Sequence, residues 1–274
     1  MDNNHYISGK NFRLDLLKYL GLLGRKKQFL CYNPATAKRR SPASFREKIL
    51  KFDKFINPIT VVYMGDSITE GQYVDYQYRW TELVSRSLRD EFSDVISSDA
   101  IYFFNRGISN ETTRQGLERF PRDVQVLKPT IITLQFGLND CNCWDTDKGL
   151  PRVSERAYEA NLVEMIARAR VFGAEKIILS TNHPTLRHSV LASGTTLEDR
   201  RKEYNNIVRQ VAAEEEVTLC DMESVFEGIR DLSLSEMLLP EPDVLHLSIE
   251  GHKTYAAAIF EKLKKAIDLI VSEK

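Results

Sequence analysis

The chain has few cysteines for its length and nothing that resembles a disulfide framework. Its 274 residues include four cysteines, Cys31, Cys141, Cys143 and Cys220, whose spacing does not suggest paired bridges in a chain this long. Cys141 and Cys143 form a C-x-C pair, but no second pair supports a zinc site, so we interpret them as free thiols. We therefore expect neither a disulfide-stabilised scaffold nor a bound metal.

The chain also has no apolar run long enough to span a bilayer. Its first residues, Met1–His5, lack the basic-then-apolar order of a secretory signal peptide. The leucine-rich stretch Leu14–Leu23 is interrupted by charged residues and by Gly21. These absences predict a cytoplasmic protein.

A net charge of -1 gives no indication of nucleic-acid binding, but the charge is unevenly distributed. Residues 1–57 hold 13 Lys or Arg and 4 Asp or Glu, whereas the rest of the chain holds 25 and 35. We interpret residues 1–57 as a basic N-terminal accessory segment and residues 58–274 as the main domain. The basic segment either docks onto the acidic domain or binds an anionic partner such as a membrane surface, and its many apolar residues favour docking.

From residue 59 onward, short apolar runs alternate with segments of helical periodicity. The run Ile59–Met64 is β-branched and almost continuously apolar, as in a strand that is buried on both faces. Helical periodicity is clearest after Ser154, where apolar residues recur every three or four positions up to Gly173. The alternation predicts an α/β fold, a three-layer αβα sandwich around a mostly parallel five-stranded sheet. The five predicted strands are Ile59–Met64, Ile101–Phe104, Ile131–Phe136, Lys176–Ser180 and Val217–Cys220.

Residue types with catalytic chemistry cluster directly after the predicted strands, where parallel sheets carry their active sites. The clusters are Gly65-Asp66-Ser67, Asn105-Arg106-Gly107, Gly137-Leu138-Asn139-Asp140 and Asp243-Val244-Leu245-His246. Each cluster alone is typical of a turn, because Gly, Asp, Asn and Ser favour turn conformations. Together, and in this order, they indicate a nucleophilic hydrolase.

These four blocks resemble those of the SGNH hydrolases, also called GDSL esterases and lipases, over residues 59–274. The resemblance implies the flavodoxin-like SGNH fold, with Ser67 as nucleophile, His246 as base and Asp243 orienting the histidine. It also implies an oxyanion hole made by the backbone N–H groups of Ser67 and Gly107 and the side-chain amide of Asn139. No metal and no organic cofactor are needed. Residues 58–274 would then be the catalytic domain.

The resemblance is incomplete at two positions. The residue after the catalytic histidine is often proline in the family and is Leu247 here. The family often carries a further glycine near the second block, where this chain has Ile108-Ser109-Asn110. Both departures leave the shape of the acyl or alcohol pocket open.

The substrate is expected to be a small-molecule ester, with a short acyl group such as acetyl on a carbohydrate or small molecule. The segment 141–151 is polar and contains Trp144, a combination that suits a sugar. His183 follows the fourth predicted strand. Trp144 and His183 are therefore the candidate substrate contacts. Alternatives with the same triad are an acyltransferase and a lipase or thioesterase. A non-catalytic binding protein would be expected to lose the triad, which is intact. The sequence does not indicate an oligomeric state.

Overall fold

A computed structural model of the protein describes residues 58–97 and 100–273, so the predicted accessory segment 1–57 lies outside the described residues. Within them, five strands form one parallel sheet in the order β2-β1-β3-β4-β5. The predicted α/β architecture is confirmed. The strands are β1 (Ile59–Gly65), β2 (Ile101–Gly107), β3 (Ile131–Gln135), β4 (Lys176–Ser180) and β5 (Thr218–Cys220).

The centre of the sheet is the most deeply buried part of the described chain. All seven residues of β1 and all five of β3 are buried. Continuous apolar runs of this kind suit strands that are covered by helices on both faces. From β1 the chain goes to β2 on one side of it and then to β3 on its other side. Open parallel sheets form a cleft at their carboxyl ends where the strand order reverses in this way.

Helices connect and cover the strands. The long helix at the end of the chain packs on the helix between β1 and β2, and the helices after β2, β3 and β4 pack on one another in sequence. In chain order the α-helices are α1 (Ser67–Glu70), α2 (Trp80–Glu91), α3 (Thr113–Asp123), α4 (Glu155–Val171), α5 (Leu197–Glu214), α6 (Met222–Gly228), α7 (Leu234–Met237) and α8 (Ile249–Glu273). None of these helices is both long and apolar enough to cross a membrane.

The helical periodicity identified the buried face of α4 correctly. Tyr158, Leu162, Met165, Ile166 and Ala169 are all buried against the sheet and its neighbours. Gly173 follows the helix with φ = 106°, a conformation that favours glycine and ends the helix there.

Candidate active site

The predicted blocks meet at the carboxyl edge of the sheet, because parallel strands all end on the same side. Ser67 lies two residues beyond the end of β1 and is the first residue of α1. The preceding Asp66 has extended backbone, and its Oδ1 accepts the N–H of Ile68 at 2.9 Å, which caps the short helix. Asp66 is fully buried, and burial raises its pKa to about 7. Its contacts are structural, since they fix the turn that presents Ser67.

Ser67, His246 and Asp243 form a continuous hydrogen-bonded chain. The His246 Nε2 lies 2.9 Å from Ser67 Oγ, and Nδ1 lies 2.8 Å from Asp243 Oδ2. The other carboxylate oxygen of Asp243 accepts the N–H groups of Leu245 at 3.0 Å and His246 at 2.6 Å. Partial burial acts to raise the pKa of Asp243, but the bonds from His246 and Leu245 outweigh it and hold that pKa below its usual value. The carboxylate is therefore ionised at neutral pH, as an acceptor for the histidine N–H must be.

A tight turn brings Asp243 and His246 together, and a second loop braces it. Val244 has φ = 48°, which is unusual for a β-branched residue and indicates local strain held by the surroundings. Its carbonyl accepts the N–H of Leu186 at 3.0 Å, and the Asp243 carbonyl accepts Nε of Arg187 at 3.0 Å. The loop after β4 therefore fixes the turn, a function that no sequence pattern indicated.

The assignment of His183 to substrate contact is corrected by its burial. Its side chain is 1% exposed, and its Nε2 lies 2.9 Å from the carbonyl oxygen of Leu245. Burial, with smaller effects from its surroundings, lowers its pKa to about 4, so the ring is neutral at physiological pH. A neutral Nε2–H donates to that carbonyl. His183 therefore supports the peptide immediately before His246 instead of facing the cleft.

Gly107 has a different environment from the one that its predicted function requires. Its N–H donates to Asn105 Oδ1 at 2.8 Å, so a substrate oxygen would have to compete for this donor. A Cβ at this position would lie 2.1 Å from the backbone nitrogen of Glu70. The close packing of β2 against α1 therefore explains the glycine, and the structure does not support Gly107 as a free oxyanion donor.

A backbone N–H that lacks an acceptor among the described residues occurs three positions later, at Asn110. Asn110 has φ = 65°, the left-handed conformation that asparagine adopts more readily than most residues. Its carbonyl oxygen and its side-chain oxygen both accept from the guanidinium of Arg152, at 2.9 Å and 3.0 Å. Arg152 thus fixes the orientation of this peptide.

Arg152 also holds Asn139, the predicted side-chain donor. Its Nη1 lies 3.3 Å from Asn139 Oδ1, while Asn139 Nδ2 donates one hydrogen to the carbonyl of Glu111 at 3.1 Å. An amide nitrogen has two hydrogens, so one remains for a ligand. Trp144, predicted as a substrate contact, is 47% exposed and stacks on the Arg152 guanidinium at 4.5 Å. Trp144 therefore contacts the guanidinium of Arg152, which orients Asn110 and Asn139.

Two further residues have notable contacts: Tyr73 contacts His246, and His252 contacts the start of α2. The ring of Tyr73, which is 66% exposed, meets the His246 ring edge-on, with 5.1 Å between their centroids. His252 is buried on α8 and its Nδ1 accepts the backbone N–H of Trp80 at 3.2 Å. Burial lowers the pKa of His252 to about 3 and keeps it neutral. Tyr73 carried no signal in the sequence.

The described residues contain no group of three or more His, Cys, Asp or Glu side chains that could hold a metal ion. Cys141, Cys143 and Cys220 are buried as free thiols. Burial raises the pKa of the Cys141 thiol far above its usual value, which makes it unreactive.

Comparison with known proteins identifies a matching family and several similar proteins. A family model described as the GDSL-like Lipase/Acylhydrolase family matches residues 63–254. The chain is 31% identical over 125 residues to the uncharacterized lipoprotein YqeF of Bacillus subtilis; this covers 44% of the chain and 47% of the relative. It thus spans about half the length of that relative.

Two other matches extend over most of the described domain. An acetylxylan esterase of Geobacillus stearothermophilus is 24% identical over 220 residues, covering 74% of this chain and 93% of the relative. The crystal structure of a lipase/acylhydrolase from Enterococcus faecalis superimposes with a TM-score of 0.60 at 25% identity, covering 76% of this chain and 96% of that one.

Proposed function

This chain belongs to the GDSL-like lipase/acylhydrolase family, and from that membership we propose that it is a serine esterase acting through an acyl-serine intermediate. The single observation that carries the proposal is the unbroken chain of contacts from Ser67 Oγ through His246 to Asp243. A serine hydroxyl needs an adjacent base to become nucleophilic, and an imidazole needs an acceptor on its other nitrogen to present the correct tautomer.

The reaction follows from these positions. His246 Nε2 takes the hydroxyl proton of Ser67 as Oγ attacks the acyl carbon. The resulting imidazolium, stabilised by Asp243, gives that proton to the alkoxide oxygen as the ester C–O bond breaks. A water molecule then repeats the sequence on the acyl-serine, releasing the carboxylic acid and restoring Ser67.

The negative charge of the tetrahedral intermediate needs preorganised donors. We assign these to the N–H of Ser67, the N–H of Asn110 and the second Nδ2 hydrogen of Asn139. The N–H of Ser67 has no acceptor within α1, because it belongs to the first residue of the helix. Asn110 replaces the predicted Gly107 in this assignment, because the Gly107 N–H is already bonded to Asn105.

A short acyl group on a carbohydrate or other small alcohol is the substrate that we propose. The acetylxylan esterase relative supports it. Initial rates on p-nitrophenyl esters of increasing chain length test the acyl half. We expect kcat/KM to be highest for acetate or propionate and to fall with longer chains. A maximum at about eight carbons or more would contradict the acetyl proposal and favour a lipase.

Replacing Asn139 by alanine should lower kcat by about 10²–10³-fold with little change in KM, because an oxyanion donor acts mainly in the transition state. Hydrolysis of p-nitrophenyl acetate by the purified variant measures this. Asn206→Ala is a matched control, since Asn206 is an exposed asparagine on α5. A loss of less than fivefold in kcat would remove Asn139 from the oxyanion hole.

A further inference from the structure

A cavity of about 490 Å³ lies next to Tyr73. Tyr73 forms one of its walls, and the same ring packs edge-on against His246, with an interplanar angle of 86°. Tyr73 therefore connects the cavity to the proposed base, which does not itself line the cavity. Its other walls come from the segment after α1, from α7 and the residues that follow it, and from the start of α8.

The direction of proton transfer determines which half of an ester faces this cavity. The leaving oxygen must come within hydrogen-bond reach of His246 Nε2, because that nitrogen protonates it. The acyl oxygen must instead face Asn110 and Asn139, which Arg152 holds together. Because Tyr73 both contacts His246 and lines the cavity, we place the cavity on the leaving-group side.

We propose that this cavity is the alcohol subsite of the esterase and that it accepts a neutral, hydroxyl-rich ring such as a sugar; this inference rests on the proposed function. Tyr73 and Tyr78 supply aromatic faces for stacking. Asp75, Glu236 and Glu250 supply carboxylate oxygens, which accept hydrogen bonds from hydroxyl groups. Aromatic faces beside carboxylates suit the alternating apolar faces and hydroxyl edges of a sugar.

The charges of the residues that line the cavity favour a neutral alcohol. Among the described residues, no Lys or Arg lines the cavity. Bonds from Ser233 to the Glu236 carboxylate lower its pKa, so it is ionised at neutral pH. An anionic alcohol would therefore be repelled. Glu250 is paired with Lys253 at 2.7 Å, which balances part of the negative charge and favours a neutral ligand over a cation.

The wall made by Tyr73 is held firmly in place. Tyr73 has φ = 68°, a costly conformation for an aromatic residue that persists only where the surroundings impose it. Arg79 imposes it by donating to the carbonyl of Glu70 at 2.9 Å and to the carbonyl of Val74 at 3.0 Å, one on each side of Tyr73. The subsite is therefore built before substrate arrives.

Three acetyl esters that differ only in the alcohol test the proposal: a methyl xyloside monoacetate, the monoacetate of a methyl glucuronide, and ethyl acetate. We expect wild-type kcat/KM to be at least tenfold higher for the xyloside than for either of the others. Tyr78→Ala should lower kcat/KM for the xyloside about tenfold, mainly through KM, and change ethyl acetate less than twofold. Tyr78 suits this purpose because it lines the cavity, whereas Tyr73 also touches His246.

Tyr76→Ala is the matched control, because Tyr76 is an exposed tyrosine of the same segment that does not line the cavity. Equal losses on all three esters in Tyr78→Ala, or equal wild-type rates on the xyloside and the glucuronide, would overturn the proposal. Faster hydrolysis of acetylcholine than of the xyloside would overturn it in favour of a cationic alcohol. In each of these cases ester hydrolysis persists, so the proposed esterase activity stands. A wild type that hydrolyses none of the three esters would instead contradict the proposed function.

Discussion

Replacing Ser67 by alanine is expected to lower kcat for p-nitrophenyl acetate by about 10⁶-fold, the loss found when a nucleophile is removed from a triad. Ser67 Oγ contacts His246 Nε2 and is 6% exposed, so the substitution removes one reactive atom and leaves little empty space. Residual catalysis should come only from the oxyanion donors and from substrate binding. The rate is measured under single-turnover conditions, with protein folding checked by thermal unfolding.

Ser93→Ala provides a control, because Ser93 is exposed beyond the end of α2 and, within the described part of the chain, its hydroxyl bonds only to the nearby carbonyl of Asp90. Intact-mass analysis after rapid quenching adds a second readout. Wild type should carry a transient acetyl group that Ser67→Ala lacks. Equal activity in both proteins would refute Ser67 as nucleophile and with it the proposed mechanism.

The next largest effect is expected from Asp243→Asn, a loss of about 10⁴-fold in kcat at neutral pH. An asparagine still offers an oxygen to the N–H groups of Leu245 and His246, which now bond to Asp243 Oδ1. Its Nδ2 then faces His246 Nδ1, where Oδ2 stands now. Two donors cannot bond to each other, so the imidazole is driven to the tautomer whose Nε2 carries a proton and cannot accept one from Ser67.

The Asp243→Asn variant therefore distinguishes an effect on the tautomer of His246 from an effect on the stability of the fold. Its melting temperature should remain close to that of wild type, whereas its kcat falls. Asp231→Asn is an exposed control of the same chemical change. A loss below tenfold in kcat would mean that Asp243 does not set the histidine tautomer.

The sequence predicts the strands well because each is an apolar run that follows a breaker or a polar segment. Ile131–Gln135 and Lys176–Ser180 match the predicted runs to within one residue. It also indicates which loops meet at the candidate site, because blocks that follow parallel strands must share one edge of the sheet. The positions of Ser67, His246 and Asp243 relative to one another follow from that rule together with the family resemblance.

Hydrogen-bond partners between loops are harder to predict, because they depend on how distant segments pack. The sequence does not reveal that the Gly107 N–H is bonded to Asn105, or that Arg152 joins Asn110 to Asn139. His183 was misassigned for the same reason: the loop after β4 turns its side chain inward to the Leu245 carbonyl. The basic segment 1–57, the cytoplasmic location and the membrane-surface alternative stay predictions.

The triad is assembled from two distant parts of the chain, since Ser67 and His246 are 179 positions apart in sequence. A ribosome therefore makes the nucleophile long before it makes the base. Until residues 243–246 emerge and His246 contacts Ser67, the serine has no base beside it and is an ordinary alcohol. Under the proposed mechanism, the nascent chain cannot hydrolyse an ester before this contact forms.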